Sequence, residues 1–274
     1  MIDRAALKAI SPVYKLYQVY NYLLFQPKLG VAMLRDWIDR HDPACERVPP
    51  ARLRYRVHGS LEKGSFLRLG QTITRNMKDL LTTIDRDLDS FGRVLEFGCG
   101  CGRVLRYLRE SSPSCEFHGT DIDPELVAWC ERNIPGVGWS TNGYSPPLSF
   151  SDGAFDLVYA ISVFTHLDED FQQAWLRELQ RVAKPGAILI LTVHGESLCH
   201  SLSPSEQDAI RARGFLYLTG ATGRLKLDGL PDFYQTSFHS RDYINREWSK
   251  FFEVVNYFER AIDGYQDAVL LRKR

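Results

Sequence analysis

The ten residues VLEFGCGCGR at 94–103 concentrate more chemistry than any comparable stretch of this 274-residue chain. An apolar run delivers Glu96, and Gly98, Gly100 and Gly102 follow at alternate positions before the amphipathic stretch VLRYLRE. Glycines spaced in this way allow positive φ and close approach of backbone to a ligand, while a helix start behind them favours a negative or hydrogen-bond-accepting group. A dinucleotide fingerprint needs a last glycine where Arg103 stands. The turn therefore reads as the holder of a nucleoside-like ligand rather than of a pyrophosphate.

Three histidines are candidate proton acceptors, because imidazole titrates near neutral pH. His166 follows an apolar run in VFTHL, His194 ends another in LTVHG, and His239 stands in TSFHS. The alternative for His166 and His239 is a capping role before Asp168 and Ser240. Asp123, ahead of Pro124 and Glu125, reads as a helix N-cap with proline in the first turn.

These residues sit at the ends of alternating elements. From residue 92 the chain reads strand, helix, strand, helix: RVLEFG, RVLRYLRE, CEFHGTD, PELVAWCERN, VGWSTN, FDLVYAIS, FQQAWLRELQRVA and AILILTVHG. Such alternation builds a doubly wound α/β domain, a parallel sheet covered on both faces, with ligands at the carboxyl ends of its strands. EVVNYFER and DAVLLRK, with no helix between them, should pair antiparallel. Ahead of this domain, SPVYKLYQVYNYLLF predicts a helix stopped by Pro27, GVAMLRDWIDR a second short one, and DPACERVPPAR a linker. Residues 1–52 thus form an N-terminal helical arm or lid, and 53–274 the main domain. A long helix is expected from Phe66, with Leu69, Ile73, Met77, Leu80, Leu81 and Ile84 at helical spacing. Residues 196–239 form a long insert whose aromatics Phe215, Tyr217, Phe233, Tyr234 and Phe238 could wall an acceptor pocket. Tyr14, Tyr17 and Tyr20 of the arm could close over the same opening, with packing as their alternative.

From about residue 90 onward the chain resembles the class I S-adenosylmethionine-dependent methyltransferases. The E-x-G-x-G-x-G turn is similar to motif I of that family, FHGTD to its second strand, FDLVYAISVFTHL to its fourth strand and loop, RVAKPGAILILT to its fifth strand, and the terminal pair to its sixth and seventh. The resemblance implies a seven-stranded, mostly parallel sheet with an antiparallel last strand. It implies S-adenosyl-L-methionine as cofactor, with Asp121 on the ribose hydroxyls, Ile122 beside it, and Glu96, Phe97, Gly98, Cys99, Gly100, Gly102 and Arg103 around the turn. Asn142 and Gly143 would lie near adenine, with Ile161 and Ser162 completing the site. Glu96 is equally readable as a buried strand acid, and Asn142-Gly143 as an ordinary turn dipeptide. The implied activity is methyl transfer to a small-molecule or sugar acceptor, at oxygen by family frequency.

Whole-chain properties narrow the classes. Lys plus Arg and Asp plus Glu each total 34, so no long-range field collects nucleic acid. The longest apolar stretch, AILILTV, is too short to span a membrane, and Asp3, Arg4 and Lys8 interrupt the N-terminus where a signal peptide needs an apolar segment, so a cytoplasmic location is expected. Six cysteines without C-x-x-C or zinc spacing read as free thiols, with no metal site. A nicotinamide oxidoreductase and a cofactor-binding domain that transfers nothing are the competing readings. Oligomeric state is not legible.

Overall fold

In a computed structural model describing residues 11–40, 47–219 and 234–274, each run read above as a strand after residue 92 becomes one. Ahead of them lie helices α1 (Ser11–Asp39), α2 (Ala51–His58) and α3 (Lys63–Thr82). The alternating part is β1 (Arg93–Phe97), α4 (Leu105–Ser111), β2 (Glu116–Asp121), α5 (Pro124–Asn133), β3 (Val137–Thr141), β4 (Phe155–Ala160), α6 (Glu169–Val182) and β5 (Ala183–Val193). After it come α7 (Pro204–Arg213), β6 (Phe215–Leu218), β7 (Thr236–His239), α8 (Arg241–Glu247), β8 (Glu253–Ile262) and β9 (Gln266–Arg272).

Seven strands form one sheet in the order β3-β2-β1-β4-β5-β9-β8, and only β9 runs against its neighbours. Alternation along the central strands sends side chains to two covered faces. Leu95, Val158 and Leu189 pack with Trp175, Leu176 and Leu179 of α6 on one side. Val94, Leu157, Ile188 and Ile190 pack with Ile73 and Met77 of α3 and Leu105 and Leu108 of α4 on the other. The strand order reverses between β1 and β4, so the carboxyl ends of these two strands open a crevice where the loops diverge.

Several expectations need correction. Pro27 does not stop the first helix: α1 runs unbroken through it to Asp39. The hydrogen bond lost at Pro27 is the one to the Leu23 carbonyl, and Leu23 is exposed, so water can take that acceptor. The boundary at residue 52 falls inside α2, whose Leu53 shares a cluster with Phe66, Leu126 and Trp129, so this helix packs with the main domain. The long helix begins at Lys63 rather than Phe66. The insert is not a bare loop: α7 carries a full capping box at Ser203 and Glu206, and β6 and β7 pair antiparallel. Phe233, Cys45 and the Tyr14 side chain lie outside the described residues.

Candidate active site

The glycine turn lies between β1 and α4 because β2 holds it there. Gly98 and Cys99 both donate their N–H groups to the Thr120 carbonyl, at 2.8 and 3.0 Å. Gly98 has φ +76°, and a Cβ there would lie 2.3 Å from Val163, so a side chain is excluded by both backbone and space. Gly102 plays the packing part, since a Cβ would strike Ile134 and Trp139 at 2.6 and 3.2 Å. The thiols of Cys99 and Cys101 are buried, and burial pushes the Cys101 thiol up to about 12, leaving both as neutral packing groups.

Two carboxyls converge on this turn. Asp121, at the tip of β2, accepts from the Gly100 N–H at 2.7 Å and, through its other oxygen, from the Asp123 N–H at 2.9 Å. Each oxygen keeps acceptor capacity beyond these bonds. Desolvation pushes its pKa up to about 6, against the pull of those backbone donors. Glu96 is 3% exposed, and its Oε2 has no hydrogen-bond partner. Burial pushes it up to about 8, with the Tyr159 hydroxyl and the Arg103 guanidinium pulling the other way. A buried carboxyl with an unspent oxygen needs a partner from outside the protein. Arg103 is itself buried, with Nε unpartnered and Nη1 3.5 Å from the Val57 carbonyl.

Beyond β4 the chain turns through Ser162, which holds φ +61° without being glycine. Its N–H donates to Thr192 Oγ1 at 2.7 Å and its hydroxyl meets the Gln266 amide at 2.8–3.0 Å, so two strands hold this strained residue in place. Residues 235–239 run alongside. The N–H groups of Gln235, Ser237 and His239 donate to the carbonyls of His166, Thr165 and His194. In return, His166 Nδ1 donates to the Gln235 carbonyl at 2.5 Å, and His194 Nδ1 to the Ser237 carbonyl at 3.2 Å. Carbonyls only accept, so each neutral ring carries its proton on Nδ1 and its lone pair on Nε2. The two rings stand 6.3 Å apart, and Tyr234 stacks on His166 at 4.1 Å.

The glycine turn, the two carboxyls, Arg103, Ser162 and Tyr234 line one cleft that opens to solvent. Residues 95–191, from β1 to β5, match a family model described as a methyltransferase domain. The segment belongs to that family. The chain is 32% identical over 120 residues to ajmaline N-methyltransferase of Rauvolfia serpentina, covering 42% of this chain and 39% of that one. It is 33% identical over 102 residues to a fatty-acid O-methyltransferase of Mycolicibacterium smegmatis, covering 36% of each. The match thus spans about two-fifths of the length of these curated relatives. A SAM-dependent methyltransferase of Methanosarcina mazei has the same fold, with a TM-score of 0.50 at 20% identity over 66% of this chain and 92% of that one. The seven-stranded sheet thus has the fold of that methyltransferase.

Of the residues expected around the cofactor, Glu96, Phe97, Gly98, Cys99, Gly100, Arg103, Asp121, Ile122, Asn142, Ile161 and Ser162 line the cleft of the methyltransferase domain. Gly102 and Gly143 do not. Asn142 stands at the rim with its amide oxygen accepting from the Thr120 hydroxyl at 2.9 Å. Asp123 lines the cleft as well and caps α5, accepting from the N–H groups of Glu125 and Leu126. The N-caps of α6 and α8 are Asp168 and Ser240, so neither His166 nor His239 has that role.

None of the three histidines reaches the cleft wall. His166 sits one ring behind it, covered by Tyr234, and burial pulls His194 down to about 4. His239 has no exposed surface; its Nε2 donates to the Gln172 side-chain oxygen at 2.9 Å, and burial pulls it down to about 3. Phe215 and Phe238 are core residues, and no described residue of α1 lines the cleft. Sequence reasoning missed Arg56 and Val57, which reach the cleft from α2. The alternation of Leu53 and Val57 at helical spacing was the available signal.

Proposed function

We propose that this chain is an S-adenosyl-L-methionine-dependent methyltransferase acting on a small organic acceptor or a carbohydrate, with oxygen as the receiving atom. One observation carries the reading: Glu96, with an unspent buried oxygen, and Asp121, with acceptor capacity left over, meet at one glycine turn. These donors and acceptors fit the cofactor. Asp121 would accept from the two ribose hydroxyls, Glu96 from the amino group, and the buried Arg103 guanidinium would face the carboxylate. Ile122 and Ile161 offer apolar surface to adenine, and Asn142 an amide at its edge.

Bound there, the cofactor supplies a methyl carbon on a sulfonium, open to displacement by an acceptor lone pair. The chain's own work is alignment and exclusion of water, and effective molarities of about 10⁵ M or more are reached when partners are held in line. A hydroxyl acceptor must also lose a proton. His166, with Nδ1 bonded to the Gln235 carbonyl and its ring stacked behind the cleft residue Tyr234, is the favoured acceptor of that proton, which would have to reach it through a bridging water. His194 offers the same tautomer, with its basicity lowered by burial. Oxygen is favoured by its frequency as the receiving atom among methyltransferases of this class. Small organic acceptors are favoured by the neutral charge balance and by the relatives, one named for ajmaline and one for fatty acids. A cytoplasmic location accords with the absence, among the described residues, of any helix long and apolar enough to cross a membrane.

Thermal unfolding with S-adenosylmethionine, S-adenosylhomocysteine or NADH tests the cofactor, since a ligand of the native state raises its melting point. The first two should raise it; a rise with NADH alone overturns the proposal. Methyl-labelled cofactor with pools of phenols, alcohols, carboxylic acids and sugars then tests transfer. Tight binding with no label in any pool would assign a non-transferring role.

A further inference from the structure

Helix α1 is 29 residues long, about 43 Å at 1.5 Å per residue, and much of its apolar surface is in solvent. Phe25 packs on Tyr55 with ring centroids 4.4 Å apart, Asp36 pairs with the buried Arg54 at 2.9 Å, and Asp39 with Lys63 at 3.3 Å. These contacts fix which side faces the domain. On the opposite side, Val19, Tyr20, Leu23, Leu24, Leu34 and Ile38 are each 48–61% exposed. At 100° per residue they share an arc of about 140° on which no charged residue falls.

Charge is distributed by side. Both acids of α1, Asp36 and Asp39, pair with basic residues of the domain, while the bases Lys28 and Arg35, two turns apart along one edge, and Arg40 just past the helix end are exposed. An apolar band bordered by the exposed cations Lys28 and Arg35, with the nearest acid, Asp39, paired to Lys63, matches the boundary of an anionic bilayer, where acyl chains take the leucines and headgroups the bases. A second copy of the helix fits less well. Pairing two such helices brings like charges together, and the arc is wider than a two-stranded seam uses. We propose that α1 lies in the surface of an anionic lipid bilayer and holds the domain there. The chain is neutral overall, so the attraction is local to this helix.

Sedimentation of the full chain with vesicles tests the proposal. Binding is expected to vesicles of equal phosphatidylglycerol and phosphatidylcholine, and about tenfold or more weaker to phosphatidylcholine alone or at high salt. Leu23→Asp with Leu34→Asp should abolish it, and Lys28→Glu with Arg35→Glu should weaken it about tenfold, both keeping the wild-type thermal response to S-adenosylhomocysteine as the measure of an intact domain. Wild-type protein that stays in the supernatant with both vesicle types overturns the proposal. So does a dimer in sedimentation velocity that the Leu23→Asp, Leu34→Asp variant converts to monomer without any vesicle binding, since the covering surface would then be a second copy.

Discussion

Two polar clusters lie at the cleft, carboxyls at the ends of β1 and β2 and imidazoles beside β5 and β7, and they spend their hydrogen bonds differently. Asp121 gives one bond from each oxygen to the scaffold and keeps capacity for the cleft, and Glu96 leaves an oxygen wholly unspent. Each of His166 and His194 instead commits Nδ1 to a backbone carbonyl, and His239 commits Nε2 to Gln172. Unspent capacity facing a cleft points to a ligand, whereas a committed nitrogen fixes a tautomer or simply holds two elements together.

The largest expected effect falls on the acids. Asp121→Ala should erase the melting shift given by S-adenosylmethionine and lower stability by about 1–3 kcal/mol, because the Gly100 and Asp123 N–H groups lose their acceptor. An unchanged shift would break the distinction between the clusters. Next come the imidazoles, which should separate from one another. His166→Ala should lower kcat by about 10²-fold or more beyond the loss of melting point expected from its lost bond to the Gln235 carbonyl, in steady-state assays on a hydroxyl acceptor. His239→Ala should do the reverse, costing about 2–4 kcal/mol in denaturant unfolding while the folded fraction keeps its kcat, since the ring fills a site against Phe215, Tyr243 and Trp248.

A smaller effect concerns pH. Glu96 has a folded-state pKa raised from 4.5 to about 8, so the native state holds a proton that the unfolded chain gives up. Its contribution to stability is fully present below about 4.5 and is lost as pH rises to about 8, the direction required when the native state binds more protons. Glu96→Gln should flatten the melting-point profile across that window, and a profile unchanged by the substitution would show the carboxyl already ionised. Asn142→Ala should be the mildest, less than about tenfold in cofactor affinity by calorimetry, because its amide is already engaged by Thr120.

The parts legible in the sequence were those in which residue type and local spacing decide the structure. Gly98 admits no side chain, Asp123 and Pro124 start a helix, and apolar strands alternate with amphipathic helices, so the sheet and its turn follow from short-range pattern. What stayed hidden depends on pairing across long separations. The burial of His239 follows from the pairing of β6 with β7 and from Gln172 on α6, 67 residues away in sequence. The approach of Arg56 and Val57 to the cleft depends on α2 packing with the residues around Phe66 and Trp129. Pro27 misled because its local cost is small wherever water reaches the abandoned carbonyl.

The Asp121 carboxylate fastens the phosphate-free turn to the start of α5 with the same two oxygens it would offer to a sugar. Grip on the nucleoside and integrity of the scaffold are therefore one inseparable property at that position. Any adjustment of cofactor affinity that spares the fold has to be made elsewhere, at a rim residue such as Asn142, whose amide oxygen is held by Thr120 and not by the glycine turn.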